Sequence, residues 1–268
     1  MYTLIEMLGY QFFQRALIAG ALIALCTALL GTTLVLKNYS MIGDGLSHVG
    51  FGALAIASAF GIAPLPFALA GTVGAAFILL RVGENGVLRG DTAIAVLSAS
   101  ALAIGTAAAS LSGENSDLNA YLFGSALALT SGDVWISIAL GIVVTGLFMV
   151  FCNRIFAVTF DETFAQATGM NPKVYNSVTA ILTAVTVTLG TRLVGALLIS
   201  SLLIFPSLSA GRIFKSWRGV TISSAVLSVL CYVLGLCASA LLATPVGASI
   251  VIVNLIVFAA LSIVKRIR

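Results

Sequence analysis

Ala16–Leu36 reads ALIAGALIALCTALLGTTLVL and lies between Arg15 and Lys37 with no charge inside it. About 20 apolar residues in a helix match the hydrocarbon thickness of a bilayer. A strand this long would leave its backbone polar groups unpaired in lipid, so the segment is read as a membrane-spanning helix. The same pattern recurs outward along the chain. Apolar runs bounded by charges or turn residues occupy Ile42–Phe60, Ile62–Leu80, Thr92–Leu111, Val134–Cys152, Val174–Leu189, Leu193–Ala210, Val220–Leu242 and Val246–Val264. Two of them are weaker. Ile42–Phe60 contains Asp44 and His48, and Val174–Leu189 is short and Thr-rich. The reading is an all-α, polytopic membrane protein of eight or nine transmembrane helices, eight if one weak segment is re-entrant. Gly61–Pro64 must turn the chain within a few residues.

Composition leaves few alternatives. Of 268 residues, 60% are hydrophobic and 8% charged, against about 25% charged in an ordinary soluble domain. Mean hydropathy is +1.15. A soluble domain, a disordered chain and a nucleic-acid binder are excluded by that scarcity of charge. His48 is the single histidine, which excludes a multi-histidine centre built within one chain. Cys26, Cys152, Cys231 and Cys237 lie in apolar runs without a CxxC pair, and read as small buried hydrophobes. The N-terminus is not a signal peptide, because Glu6 stands where a basic segment is needed and no small-residue cleavage site follows. Leu4, Ile5, Leu8, Phe12 and Phe13 share a helical face, so residues 1–15 are expected as an interfacial segment. The run Asp117–Thr130 is too short to span and is expected as a short outer helix. No repeat or linker appears, so residues 1–268 read as one transmembrane domain.

Lys and Arg favour cytoplasmic loops. Nine spans with a cytoplasmic C-terminus put Lys37, Arg81, Arg89, Arg154, Lys173, Arg212, Lys215, Arg218, Lys265, Arg266 and Arg268 inside, and Arg15 and Arg192 outside. The opposite orientation reverses eleven against two.

Asp44-Gly45-Leu46-Ser47-His48 carries the most chemistry. An acid in an apolar span costs roughly 2.5–3.5 kcal/mol on insertion scales at mid-membrane. Asp and His four residues apart share one helical face. A carboxylate oxygen and an imidazole nitrogen can grip one divalent cation, and that donor set suits Mn, Fe or Zn over Ca or Mg. Two ligands are few. Water or a symmetric second copy would complete the set, and weak coordination suits an ion that must also leave. The alternative is a structural Asp–His hydrogen bond that pins a helix end. Acid should weaken a metal pair by protonating His48.

The longest inner loop is Asn153–Lys173, NRIFAVTFDETFAQATGMNPK. Asp161 and Glu162 open a short helical stretch, and Gly169 with Pro172 closes it. Phe164 and Ala165 would face a cytoplasmic partner; a plain amphipathic connector is the alternative. Arg192 would anchor a short outer turn, and Pro206 falls inside a helix, where it should kink it. There is no HExxH, no GxSxG and no P-loop, so the chain does not hydrolyse ATP itself. Ser47 and His48 are adjacent, so their side chains diverge on a helix and form no dyad.

Several motifs in order resemble the manganese/zinc/iron family of ABC importer permeases over nearly the whole length. Ser40-Met41-Ile42-Gly43-Asp44-Gly45-Leu46-Ser47-His48-Val49 is similar to the family's S-M/L-x-G/S-D-x-x-S/A-H-A, with Val49 in place of its final Ala. Asp91-Thr92-Ala93-Ile94, Leu122-Phe123-Gly124, Arg192–Ser209 and Thr244-Pro245-Val246-Gly247-Ala248 resemble further family segments. The resemblance implies a type II-like permease that is not an enzyme. It carries zinc or manganese, possibly iron, through a homodimer interface, with no permanently bound cofactor. Asp44 and His48 match the family's metal pair. Asp161–Gly169, including Glu162, Phe164 and Ala165, match the loop that docks on the ATPase. Implied partners are a second permease copy, ATP-binding-cassette ATPase subunits and an extracytoplasmic metal-binding protein; the implied location is the inner or plasma membrane of a prokaryote. The competing reading is an ion-coupled secondary transporter of a divalent cation without an ATPase. An inner loop that pulls down a nucleotide-binding subunit separates the two.

Overall fold

The structure is a computed structural model, and it describes residues 9–84, 90–112 and 131–267. Among these there are ten α-helices and no strand. They are α1 (Gln11–Leu36), α2 (Ile42–Ala59), α3 (Pro64–Glu84), α4 (Gly90–Ser112), α5 (Ser131–Phe160), α6 (Glu162–Ala167), α7 (Pro172–Val194), α8 (Ala196–Ile213), α9 (Trp217–Leu242) and α10 (Val246–Ile267). Each apolar run picked from sequence falls on its own helix, and α6 is the short extra one. Seven helices are long and apolar enough to cross a membrane, and Ile199–Ile213 within α8 is a shorter apolar helix. Of the two others, α6 is too short to span, and α2 has 18 residues, about 27 Å at 1.5 Å per residue.

The turns follow from local chemistry. At the end of α1, Asn38 takes a positive φ of 59°, and Tyr39 N–H donates to the Leu34 carbonyl at 2.9 Å. At the end of α2, Gly61 takes φ of 66°, and Ile62 N–H donates to the Ala57 carbonyl at 2.9 Å. Both are left-handed terminations that satisfy the last helical carbonyls. Pro64 then opens α3, where its missing N–H costs nothing. Gly195, at φ 100°, is the whole link between α7 and α8.

Three expectations need correction. The inner loop does not begin at Asn153, because α5 continues to Phe160. Ile155 and Val158 remain buried there, and the polar Arg154 is accommodated by donating to Tyr175 Oη at 2.9 Å. The outer turn at Arg192 is likewise helical, since α7 runs to Val194. Finally, α1 begins at Gln11, so Phe12 and Phe13 belong to the first span rather than to a separate interfacial helix. Leu4, Ile5 and Leu8, and the run Asp117–Thr130, lie outside the described residues. Pro206 lies inside α8, which runs through it to Ile213.

α1 is the most buried of the candidate spans among the described residues. It packs on α5, α7, α8 and α9. α9 hydrogen-bonds along it: Ser228 donates to the Ala24 carbonyl at 2.8 Å and Tyr232 to the Ala16 carbonyl at 2.8 Å. In lipid such interhelical bonds contribute about 0.6 kcal/mol each. α8 is the second central element and touches α1, α2, α7, α9 and α10. On the other flank α2 packs against α3 and α4.

Candidate functional site

Asp44 lies in the first turn of α2 and His48 in the second. His48 Nε2 and Asp44 Oδ1 are 3.6 Å apart. That is beyond hydrogen-bonding distance, which argues against a plain Asp–His hydrogen bond. Two ligand atoms each about 2.1 Å from one tetrahedral metal are roughly 3.4 Å apart, so the spacing fits a chelating pair. Their side chains are 13% exposed for His48 and 32% for Asp44. His48 Nδ1 is buried and has no hydrogen-bond partner. Ser47 donates to the Asp44 carbonyl at 2.7 Å, so its hydroxyl is turned to the backbone. Among the described residues no third His, Cys, Asp or Glu joins the pair.

Small residues let α8 approach α1 and α2 closely beside the pair. A Cβ on Gly31 of α1 would come within 2.1 Å of the Leu203 carbonyl oxygen, and one on Gly43 of α2 within 3.1 Å of Leu203 Cδ1. Leu203 thus packs against both helices. Ile42, two residues before Asp44, lines one pocket with Lys37, Glu162 and Asn176, so the pair lies towards the end of the bundle that carries α6. The α8 wall beside Gly43 carries Ser200, whose Oγ is buried and unpartnered.

The second candidate is α6. Asp161 is its N-cap and accepts from Phe164 N–H at 2.9 Å. Gly169, at φ 83°, closes it: Met170 N–H donates to the Ala165 carbonyl at 3.0 Å and Gly169 N–H to the Gln166 carbonyl at 3.0 Å. Asp161 and Gly169 thus set the length of the helix. Phe164 is 64% exposed, whereas Ala165 is fully buried. Consecutive helical residues point about 100° apart, so the two cannot share a face, and Ala165 belongs to the inner side rather than to a partner-facing one.

Glu162 is held from behind. Lys37, just after α1, donates to Glu162 Oε1 at 2.8 Å and to Asn176 Oδ1 at 2.5 Å. Asn176 on α7 donates to the same Glu162 oxygen at 3.0 Å. Partial burial pushes the Glu162 carboxyl up, but the two hydrogen bonds and the Lys37 charge outweigh it and the net shift is downward. Sequence reasoning placed Lys37 only as an inner cation and missed Asn176. The three lie on separate segments of the chain, and no short-range pattern marks them.

Apolar helices around a partly buried acid–imidazole pair, with a capped surface helix between two of them, define a polytopic membrane permease. Residues 9–265 match the ABC 3 transport family, and the chain belongs to that family. It is 30% identical to the manganese import system permease protein ScaB of Streptococcus gordonii, over 93% of this chain and 90% of that one. It is 32% identical to the high-affinity zinc uptake system membrane protein ZnuB of Haemophilus influenzae, over 97% of this chain and 99% of that one. Among solved structures it is similar to PsaBC from Streptococcus pneumoniae in complex with Fab, with a TM-score of 0.87, 26% identity, and coverage of 97% of this chain and 95% of that one. An ion-coupled secondary transporter finds no support in these matches.

Proposed function

We propose that the chain is the membrane-spanning subunit of an ATP-binding-cassette importer for a divalent transition-metal cation, manganese or zinc, with iron as a further candidate. The observation that carries this reading is the family match over residues 9–265, together with relatives named for manganese import and zinc uptake. Asp44 and His48 are the weak ligands that the ion passes. Oxygen plus imidazole nitrogen suits Mn, Fe and Zn, and the 3.6 Å separation leaves room for an ion between them. A second copy of the chain, related by a two-fold axis, supplies further ligands.

A separate ATPase subunit docks on α6, where Phe164 is exposed, and a metal-loaded binding protein delivers the ion on the opposite side. The eleven-to-two distribution of Lys and Arg supports placing α6 and the C-terminus in the cytoplasm. The residues of this chain bind and release the ion, while the partner hydrolyses ATP. Reconstitution of the chain with its ATPase and binding protein in proteoliposomes tests the proposal. Uptake of radioactive Mn or Zn that requires ATP supports it. Uptake that persists without the ATPase, driven by an ion gradient, overturns it.

A further inference from the structure

A cavity of about 580 Å³ opens at the end of the bundle where α8 meets α9, against α1, α5 and α10. Asp44 and His48 are not among its lining residues. Its walls are apolar and include Val35, Leu36, Phe160, Leu208, Phe214 and Val220. Its rim is cationic, with Arg212, Lys215 and Lys265 contributed by three different segments. No acid lines it, and among the described residues none of the three cations pairs with a carboxylate. Trp217 also lines it. Its ring packs on Phe156 with centroids 5.2 Å apart, and its indole N–H is buried without an acceptor.

These features have one common occupant. Three cations with no carboxylate partner, Arg212 also lying over the Phe258 ring at 5.4 Å, call for a phosphate or similar oxyanion. The apolar walls call for hydrocarbon attached to it. A free phosphate would leave those walls empty, and an uncharged lipid would leave the cations without a counter-charge. Basic pockets between spanning helices, at the membrane boundary, bind anionic headgroups on this principle. The outward faces of the neighbouring helices are themselves apolar and exposed at Ile222, Val226, Ile263 and Val264, so an acyl chain reaches the cavity from the bilayer. We propose that this cavity binds an anionic phospholipid, its phosphate among Arg212, Lys215 and Lys265, and its upper acyl segment along Val35, Phe160 and Val220. The orientation argued above enters only in assigning that lipid to the inner leaflet.

The chain contains two tryptophans, and Trp135 is 72% exposed on α5. Trp135→Phe therefore leaves Trp217 as the only fluorescent reporter, with no change at the cavity. The full-length variant is placed in nanodiscs containing brominated-acyl phosphatidylglycerol or brominated-acyl phosphatidylcholine. The expected result is Trp217 quenching that saturates at a low phosphatidylglycerol fraction, with an apparent preference of at least about tenfold over phosphatidylcholine. Arg212→Gln, Lys215→Gln and Lys265→Gln together should make the two lipids equivalent. The single variant Lys265→Gln should weaken the preference several-fold even if the triple variant folds poorly. Equal quenching by both lipids in the parent protein overturns the proposal. So does relief of quenching by millimolar inorganic phosphate, which would assign the site to the free ion. Loss of phosphatidylglycerol quenching when the purified ATPase subunit is added would assign the cavity to a protein partner and overturn it equally.

Discussion

Lys37 Nζ lies 2.8 Å from Glu162 Oε1, across 125 positions of sequence. This joins the end of α1 to the first residue of α6, and Lys37 also precedes the tight turn into the helix that bears Asp44. The bond therefore links the proposed ATPase-docking helix to the proposed metal pair through seven residues of chain. Lys37→Met or Glu162→Gln should lower metal uptake per ATP hydrolysed while leaving the chain folded, because an exposed ion pair contributes at most about 1 kcal/mol to stability. Lys37→Glu and Glu162→Lys combined should recover part of the coupling that each reversal loses. Measurement of uptake and hydrolysis in the same proteoliposomes checks this, and an unchanged ratio in all four variants would remove the link from the coupling path.

The same link has a pH signature. The Glu162 carboxyl is shifted below its ordinary value by its hydrogen bonds and the Lys37 charge, against the opposing effect of burial. A lowered folded value means the contribution is present above the unfolded value and is lost only as pH falls through the folded one. The difference in ATPase-subunit binding between the parent chain and Glu162→Gln should therefore be constant from pH 8 down to about 5. It should shrink only below the usual carboxylate value of about 4.3. Binding titrations across that range read the difference directly, and a loss already complete at pH 6 would contradict the assignment.

Asp44→Ala and His48→Ala should each abolish uptake at limiting metal while the protein stays in the membrane at normal levels. Neither residue is required for folding by any strong contact, since their separation of 3.6 Å is longer than a hydrogen bond. Asp44→Asn is the sharper probe. It keeps size and polarity but removes the charge, so uptake should fall while thermal stability holds or rises, because a charge in an apolar span is costly. Full uptake by Asp44→Asn would mean that the carboxylate does not ligate the ion.

What was legible in the sequence divides along the same line. The apolar segments could be read because apolar length between charges is imposed by the bilayer, and no tertiary information is needed. Asp44 and His48 could be read because four residues on a helix are always neighbours. The Lys37–Glu162–Asn176 cluster could not, because it exists only once three helices have packed. The inner loop was overestimated for a related reason. Asn153 and Arg154 end an apolar run, but nothing local shows that α5 continues to Phe160 with Arg154 against Tyr175. The break at Gly195 was not read, because the run Leu193–Ala210 carries it inside an apolar stretch and the charge at Arg192 drew the turn three residues early. The observed φ of 100° at Gly195 marks the break.

Capping offers a test of α6 that leaves the partner-facing side chains untouched. Asp161 holds the helix open end through Phe164 N–H, and loss of an N-cap costs about 1 kcal/mol. On a helix of six residues that is enough to fray the first turn and release Phe164 from its fixed position. Asp161→Ala should weaken ATPase binding by about fivefold, Asp161→Ser should restore it, and stability of the spanning bundle should not change. An Asp161→Ser variant as weak as Asp161→Ala would assign Asp161 a direct contact with the partner rather than a cap.

The packing of α2 on α4 makes a prediction with a built-in control. A Cβ on Gly52 would meet the Ala101 carbonyl oxygen at 2.6 Å, and one on Gly105 would meet Gly52 Cα at 2.6 Å. Both obstacles are backbone atoms, so no rotamer change relieves them, and the helices themselves must separate. Small residues allow such approach between spanning helices, where van der Waals packing replaces the hydrophobic drive. Gly50, two residues earlier on the same helix, would meet only Thr72 Cγ2 at 3.4 Å, an ordinary contact. Gly52→Ala should therefore lower thermal stability by about 1–3 kcal/mol, the usual range for overpacking, and should reduce uptake because α2 carries Asp44 and His48. Gly50→Ala carries the same propensity change and should be near neutral. Thermal unfolding of the two variants in one detergent compares them; Ala is the better helix former, so a loss at Gly52 that does not exceed the change at Gly50 would mean that the close approach at Gly52 does not set the cost.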